Sequence, residues 1–138
     1  MTKTSGYSGT PLAKKLGLKP DFTVHLINPV KEYWDLFENI PEGIEEVDQP
    51  FEASVDFVHL FCTSMENLLL EATKGKAILK KTGLLWVSWP KGSSKIPTDI
   101  NRDIIRTHVL GIGLVDVKVA AINEDWSGLK FVYRTKDR

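Results

Sequence analysis

The stretch 84–95 reads LLWVSWPKGSSK and joins a short apolar run to a small, polar, cationic loop. Gly83 precedes the run and Pro90 ends it, and a short run with aromatic residues between such breakers is typical of a strand covered on both faces. Pro90 lacks the N–H that a continuing ladder needs. The stretch therefore predicts an internal strand that ends at the edge of a sheet.

The loop after this strand carries Lys91 and Lys95, with glycine and serine between them. In open α/β sheets, ligands bind just beyond the carboxyl ends of the strands. A loop of this composition in that place is suited to hold an anion. A solvated turn with two surface lysines is the simpler interpretation of the same residues.

The composition predicts one domain over residues 1–138, since the length suits a single core and the chain is 42% hydrophobic and 26% charged. The formal net charge is zero, which argues against a nucleic-acid or membrane partner held by bulk charge. Local charge is uneven, because ten acidic residues and only one base lie between Asp21 and Asp56. Six lysines lie between Lys74 and Lys95, but the strand at 84–89 divides them between opposite ends of the sheet.

Cys62 is the only cysteine, which excludes an intrachain disulfide and a cysteine-rich zinc site. No apolar run approaches transmembrane length and no signal peptide is visible, so the sequence predicts a cytoplasmic protein. A homo-oligomer is compatible with these features. No metal site is predicted, because the three histidines are not at metal-ligand spacing.

Apolar patterning predicts alternating strands and helices, and therefore an α/β fold with a mostly parallel sheet and right-handed crossovers. The strands that end at Ile27, Phe61 and Trp89 are predicted to be parallel and adjacent. Thr63 and Glu66 form a capping-box pattern that opens a helix. The predicted strands are 23–27, 44–47, 55–61, 84–89, 115–120 and 129–133. The predicted helices are 10–17, 29–38, 63 to the region 76–80, and one capped by Thr98 or Asp99 that ends at 111.

Three motifs are distinctive: GYSGTPLAKKLG at 6–17, WVSWPK at 86–91 and WSGLKFV at 126–132. Together they resemble a small uncharacterised bacterial family, a domain of unknown function. The resemblance spans nearly the whole chain and implies no activity.

The order of elements is similar to that of the Rossmann-like class I methyltransferases, which end with an antiparallel strand inserted beside its neighbour. The resemblance implies the strand order second, first, third, fourth, sixth, fifth. It also implies that one helix–strand–helix section is missing between Val47 and Val55. A fold resemblance does not carry function with it.

The chain departs from that class where the cofactor would bind. Methyltransferases have a glycine-rich turn after the first strand, whereas residues 28–31 read NPVK. Asp48 stands where an acid would hold ribose hydroxyls, but many other acids surround it, and the missing section removes part of the adenine pocket. These departures argue against S-adenosylmethionine, and no cofactor is predicted.

No nucleophile–base pair and no catalytic set is visible in the sequence. The favoured function is a non-catalytic or degenerate module that binds a ligand or a partner. The alternative is a small S-adenosylmethionine- or nucleotide-dependent transferase acting at the edge formed by Ser88 and Lys91. Whether the protein is an enzyme is left open. His25 and His59 lie on neighbouring strands, where satisfied core histidines are more common than a site.

The predicted ligand site lies where the sheet order reverses, between the first and third strands. Thr63, Ser88 and Lys91 are predicted to hold a small anion such as a phosphate or carboxylate, with Asn28 beside them. The N-terminus of the helix after Thr63 would add free N–H groups. Tyr7 and Ser8 are predicted to fold over this site as a lid. A water-filled notch is the alternative.

Overall fold

One six-stranded sheet organises the computed structural model, which describes residues 10–138. The strands are β1 Thr23–Ile27, β2 Glu45–Glu46, β3 Val55–Phe61, β4 Leu79–Pro90, β5 Leu114–Ala121 and β6 Trp126–Tyr133. The helices are α1 Leu12–Leu16, α2 Met65–Ile78 and α3 Arg102–Gly111, with 3-10 turns at Tyr33–Leu36 and Thr135–Asp137. In this part of the chain, no helix is long and apolar enough to cross a membrane.

The strand order is β2-β1-β3-β4-β6-β5, as predicted. The four strands from β2 to β4 are parallel, and β6 lies antiparallel between β4 and β5. The predicted parallel adjacency of β1, β3 and β4 is confirmed. The order reverses between β1 and β3, which puts the crevice of an open α/β sheet beyond their carboxyl ends.

The two faces of the sheet have separate cores, because side chains alternate along each strand. Val58 and Leu60 pack with α2 and α3 on the side we name the α2 face. Phe57 and Phe61 pack with α1 and the segment after β1 on the side we name the α1 face. Trp86 is fully buried on the α1 face.

A buried hydrogen bond ties α1 to the sheet. The indole Nε1 of Trp86 donates to the backbone oxygen of Leu16 over 2.7 Å. This bond satisfies the only polar atom of the indole, and it satisfies a carbonyl at the end of a five-residue helix. The short helix is thus held by contacts with the sheet more than by its own hydrogen bonds.

The helix predicted after β1 is wrong. Glu32 has a φ of 56°, and a right-handed helix cannot pass through a residue in that conformation. Only the 3-10 turn Tyr33–Leu36 forms, and it still buries Tyr33 against the sheet. The predicted apolar face does bury Tyr33 and Phe37, but an apolar run of this length does not identify the type of helix.

The bounds of four strands also differ from the prediction, since β2 is shorter and β4, β5 and β6 are longer than predicted. β2 has only two residues, both exposed, and it forms one edge of the sheet. β4 begins at Leu79, earlier than predicted, through a bulge in its pairing with β3. Lys80 in this added part pairs with Asp56 at 3.1 Å, so its polar residues suit a strand end that is partly exposed.

Candidate functional site

The loop after β1 starts at the reversal point of the sheet. Asn28 is exposed and has a φ of 53°, and Glu32 has a φ of 56°. Both residues are in the left-handed region that glycine adopts without a steric penalty. The turn therefore has backbone conformations typical of a glycine-rich loop, although residues 28–32 contain no glycine.

A groove of about 510 Å³ opens beside this loop on the α2 face. β1 forms its floor, α2 forms one wall, and Pro50 lies at its other side. The groove lies beside the short connection between β2 and β3. Its volume is within the range of about 300–1,000 Å³ found for ligand pockets. The lining residues are His25, Leu26, Ile27, Asn28, Pro50, Glu71, Lys74, Ala77 and Ile78.

The N-terminus of α2 is closed by side chains of the protein itself. Ser64 is the N-cap, and its Oγ accepts from the Asn67 N–H over 3.1 Å. The Asp99 carboxylate accepts from the Met65 N–H over 2.8 Å. The predicted capping box of Thr63 and Glu66 is therefore wrong, and the helix end where an anion was expected already holds a carboxylate.

Thr63 contributes its carbonyl to the same closure. Its backbone oxygen accepts from the Thr98 hydroxyl over 2.7 Å and from the Asp99 N–H over 3.2 Å. These bonds fix the segment before α3 across the start of α2. A second anion in this place would meet the Asp99 carboxylate instead of free N–H groups.

Ser88 lies inside the protein, not at the edge of the sheet. Its side chain is fully buried on the α1 face, and its Oγ lies 2.7 Å from Nε2 of His59. The other ring nitrogen of His59, Nδ1, lies 2.8 Å from the hydroxyl of Tyr33. We name this hydrogen-bonded set Tyr33–His59–Ser88 the buried chain. Its serine is not available to a ligand at the edge.

The buried chain holds an uncharged imidazole. Burial lowers the pKa of His59 to about 3. Burial also raises the pKa of Tyr33, with a smaller contribution from Glu46. His59 stacks on Phe61 with ring centroids 4.3 Å apart, so aromatic groups surround the ring as well as hydroxyls. A buried polar network of this kind is stable only while every member keeps its partner.

Lys91 lies at the end of β4, half-buried beside the β5–β6 hairpin. Its backbone N–H donates to the Asp125 carbonyl over 2.8 Å. The structure thus places Ser88 in the core, Thr63 under the segment before α3, and Lys91 beside the hairpin. Tyr7 and Ser8, the predicted lid, lie outside the described residues.

The other candidate side chains also separate. His25 lines the groove and its Nδ1 lies 2.7 Å from the Val47 carbonyl oxygen, whereas His59 lies on the α1 face, so the two histidines do not meet. Cys62 is fully buried. Burial, with a smaller contribution from Glu71, raises the pKa of its thiol to about 12, so it behaves as a small core residue.

Sequence reasoning missed the buried chain. A signal was present, since His59 is the polar exception in the apolar run 57–61 and Ser88 is the polar exception in the apolar run 84–89. The third member, Tyr33, lies on the apolar face that the sequence predicts, but the partner of its hydroxyl depends on the loop conformation after β1.

No model of a known protein family matches the sequence, and no curated protein matches it. Solved structures do match. One is a putative methyltransferase in a complex with the Trm112 methyltransferase activator of Haloferax volcanii, with a TM-score of 0.61, 11% identity, and coverage of 88% of this chain and 86% of that chain.

Two further structures give a similar result. A putative type 11 methyltransferase from Sulfolobus solfataricus has a TM-score of 0.59, with 14% identity over 90% of each chain. A SAM-dependent methyltransferase from Aquifex aeolicus has a TM-score of 0.57, with 15% identity over 87% of this chain and 86% of that chain. The chain has the Rossmann-like methyltransferase fold. At these identities the likeness shows the fold and not the activity.

Proposed function

We propose that the protein is an S-adenosylmethionine-dependent methyltransferase whose cofactor lies between the loop after β1 and the groove beside α2. The observation that carries the proposal is the loop itself, in which Asn28 and Glu32 keep left-handed conformations beside a groove of ligand size. The proposed site differs from the one predicted at Ser88 and Lys91, because Ser88 is buried.

The residues around the groove fit the chemistry of the cofactor. Ile27 and Pro50 offer apolar surface to an adenine ring. Glu71 is half-buried in the same groove, and its carboxylate is an acceptor for the exocyclic amino group of adenine. Asp48 follows β2 and is exposed, where its carboxylate would accept from ribose hydroxyls. When bound, the cofactor would supply an activated methyl group, and these side chains would orient it.

A specific observation favours a second candidate, a module that binds without catalysis. Pro29 removes a backbone donor from the loop, and the Cβ atoms of Asn28 and Glu32 stand where glycine would let the backbone approach a ligand. In addition, His59 and Ser88 are buried and hydrogen-bonded to each other, so they are not placed to act on a substrate.

Calorimetric titration and thermal shift with S-adenosylmethionine and S-adenosylhomocysteine test the proposal, with ATP as the comparison ligand. A ligand at a hundred times its Kd stabilises a protein by about 2.7 kcal/mol. Glu71→Gln is expected to weaken binding about ten-fold or more, since a charge-assisted hydrogen bond is lost. Glu66→Gln on the exposed start of the same helix is the matched control.

If both adenosyl ligands bind and ATP does not, methyl transfer to candidate substrates can be measured next. If neither adenosyl ligand stabilises the wild type, the methyltransferase proposal fails and the non-catalytic module takes its place. Binding that Glu71→Gln leaves unchanged would mean that the adenine does not lie in the groove.

A further inference from the structure

The loop after β1 crosses from one face of the sheet to the other. Asn28 lies at the groove on the α2 face. Tyr33, five residues later in the sequence, is buried on the α1 face and belongs to the buried chain. Glu32, which directly precedes it, has a left-handed conformation, as Asn28 does. One short segment therefore connects the proposed cofactor site to a hydrogen-bonded network inside the protein.

Backbone hydrogen bonds do not attach this segment to the strands around it. Within residues 10–138, the backbone groups of residues 28–41 form hydrogen bonds only inside the segment itself. Examples are the bond from the Asp35 N–H to the Glu32 carbonyl over 3.0 Å and that from the Phe37 N–H to the Trp34 carbonyl over 3.2 Å. A left-handed residue other than glycine keeps its conformation only where its surroundings determine it. The contacts that hold Glu32 must therefore come from side chains.

The two side chains that directly follow Glu32 form hydrogen bonds to other segments. The Tyr33 hydroxyl lies 2.8 Å from Nδ1 of His59, and both groups are buried. The indole Nε1 of Trp34 donates to the Glu46 carboxylate over 2.8 Å, and this bond is exposed. An exposed hydrogen bond competes with water, whereas a buried polar group that loses its partner stays unsatisfied. The Tyr33 bond is therefore the stronger of the two constraints on the loop.

The Tyr33 ring is packed on several sides. It is 4% exposed, and it contacts His59 and Phe61 on β3 edge-on, with centroids 5.4 and 5.9 Å away. Trp34 and Phe37 lie at 5.0 and 5.4 Å from it. A phenylalanine could make the same ring contacts. The hydroxyl thus contributes what packing does not, which is a directional bond to the centre of the sheet.

His59 is a rigid partner for this bond. Its Nε2 lies 2.7 Å from the Ser88 Oγ, and its ring stacks on Phe61 with centroids 4.3 Å apart. His59 and Ser88 lie on β3 and β4, the two central strands. Burial lowers the pKa of His59 to about 3, so the ring stays neutral near neutral pH. The buried chain thus links the loop to the least mobile part of a sheet, its centre.

We propose that Tyr33 is a positioning residue, whose bond to His59 keeps the loop after β1 in the conformation that a ligand in the groove meets. The effect on a ligand rests on the proposed function, whereas the effect on the loop does not. Tyr33 does not line the groove, since it lies on the α1 face. A tyrosine that only fills the core would stabilise the whole fold, but a positioning residue acts on the loop first.

Limited digestion of the full chain with trypsin separates these two roles. Lys31 is exposed and is the only lysine or arginine between residues 21 and 56, so cleavage after it reports opening of the loop. Lys130 lies on β6, which is paired on both sides, so cleavage after it reports opening of the sheet. Tyr33→Phe keeps the ring and removes the bond. We expect it to raise the cleavage rate after Lys31 about five-fold or more, with no equal rise after Lys130.

Tyr133→Phe is the matched control, because it also removes a hydroxyl, one that donates to the Lys76 carbonyl over 3.3 Å and lies outside the buried chain. His59→Leu removes the bond to Tyr33 from the β3 side and repeats the test in case Tyr33→Phe is poorly folded. S-Adenosylhomocysteine at ten times its Kd, measured by calorimetry, should slow cleavage after Lys31 in the wild type about ten-fold.

Faster cleavage after Lys31 in Tyr33→Phe and His59→Leu, with Tyr133→Phe like the wild type, supports the inference. It is overturned if that rate is unchanged, or if it rises in step with cleavage after Lys130. It is also overturned if S-adenosylhomocysteine binds without slowing cleavage after Lys31, because the ligand then does not meet the loop. If S-adenosylhomocysteine does not bind the wild type, the proposed function fails, and the cleavage rates alone decide whether Tyr33 positions the loop.

Discussion

The Nε2 atom of His59 lies 2.7 Å from the Oγ of Ser88, and neither side chain has any surface exposed to solvent. A histidine in this position is neutral in the folded protein. In the unfolded chain the same ring titrates near its ordinary pKa of about 6.5. The buried chain therefore couples stability to pH.

The folded pKa of His59 is depressed to about 3, so its contribution is present above the unfolded pKa and is lost as the pH falls from 6.5 towards 3. The slope is about 1.4 kcal/mol per pH unit, which is about 2 kcal/mol between pH 6.5 and pH 5. Urea unfolding at several pH values should show this loss. His59→Gln has no imidazole to titrate, so its unfolding free energy should fall less between pH 6.5 and pH 5. If it fell as much as that of the wild type, His59 would not be the cause of the pH dependence.

Removing the serine hydroxyl should destabilise the protein. Ser88→Ala leaves Nε2 of a buried imidazole without its partner, at a cost of about 1–3 kcal/mol. Denaturant midpoints of Ser88→Ala and of Ser93→Ala, an exposed serine in the loop after β4, measure the difference. Equal midpoints would mean that the bond contributes nothing to folding.

Gly128 is expected to tolerate no side chain. A Cβ there would lie 3.0 Å from the Ser88 Oγ, 3.0 Å from Cε3 of Trp86 and 3.1 Å from a methyl group of Ile122. Gly128→Ala should therefore cost about 1–3 kcal/mol through overpacking. Gly92→Ala is the control, because nothing lies within 4 Å of its Cβ position. Thermal unfolding of both variants gives the comparison, and a neutral Gly128→Ala would show that β6 is less tightly packed than described.

The start of α2 should depend on Ser64 and not on the residues of the predicted capping box. Ser64→Ala removes the acceptor for the Asn67 N–H and should cost about 1 kcal/mol. Thr63→Ala and Glu66→Ala should each change the unfolding free energy by less than about 0.5 kcal/mol. If Thr63→Ala and Glu66→Ala lowered the unfolding free energy more than Ser64→Ala does, the predicted capping box would be supported instead.

Glycine in the loop after β1 should stabilise the fold. Glu32 has a left-handed φ that costs a residue with a side chain about 1 kcal/mol or more. Glu32→Gly is thus expected to raise the unfolding free energy by several tenths of a kcal/mol, net of the extra chain entropy of glycine. Lys31→Gly next to it should lower stability. Glycine there adds conformational entropy to the unfolded chain, and it relieves no left-handed conformation because Lys31 does not have one. Glu32→Gln removes the same charge without adding glycine, and a rise in Glu32→Gln equal to that of Glu32→Gly would point to loss of charge as the cause.

Much of the fold could be predicted because its signals are local or topological. β1 and β3 have the predicted boundaries, since each is a short apolar run with clear breakers. The strand order followed from the resemblance of element order to one fold class. The helix predicted after β1 does not form, because Glu32 has a left-handed conformation. That conformation is set by tertiary contacts and runs against residue preferences.

The residues of the predicted anion site are separated in the structure for a different reason. Residues Thr63, Ser88 and Lys91 do stand near the carboxyl ends of neighbouring strands. Sequence position gives the end of a strand, but not the face on which a side chain lies or the partner it already has. The Ser88 hydroxyl is hydrogen-bonded to His59. The carboxylate of Asp99, thirty-five residues after Ser64, accepts from the Met65 N–H at the start of α2. Both facts depend on contacts between distant segments.

The opposed charges of the two sheet edges also affect how the protein behaves during purification. A chain with a pI of about 6.8 is ordinarily expected to pass through ion-exchange resin near neutral pH. Here Glu45 and Glu46 at the β2 edge present one surface to an anion exchanger. Lys15, Lys118 and Lys130, which lie together beside the β5 edge, present another to a cation exchanger. Retention on both resins at low salt would thus reflect a large electric dipole moment in a molecule of zero net charge.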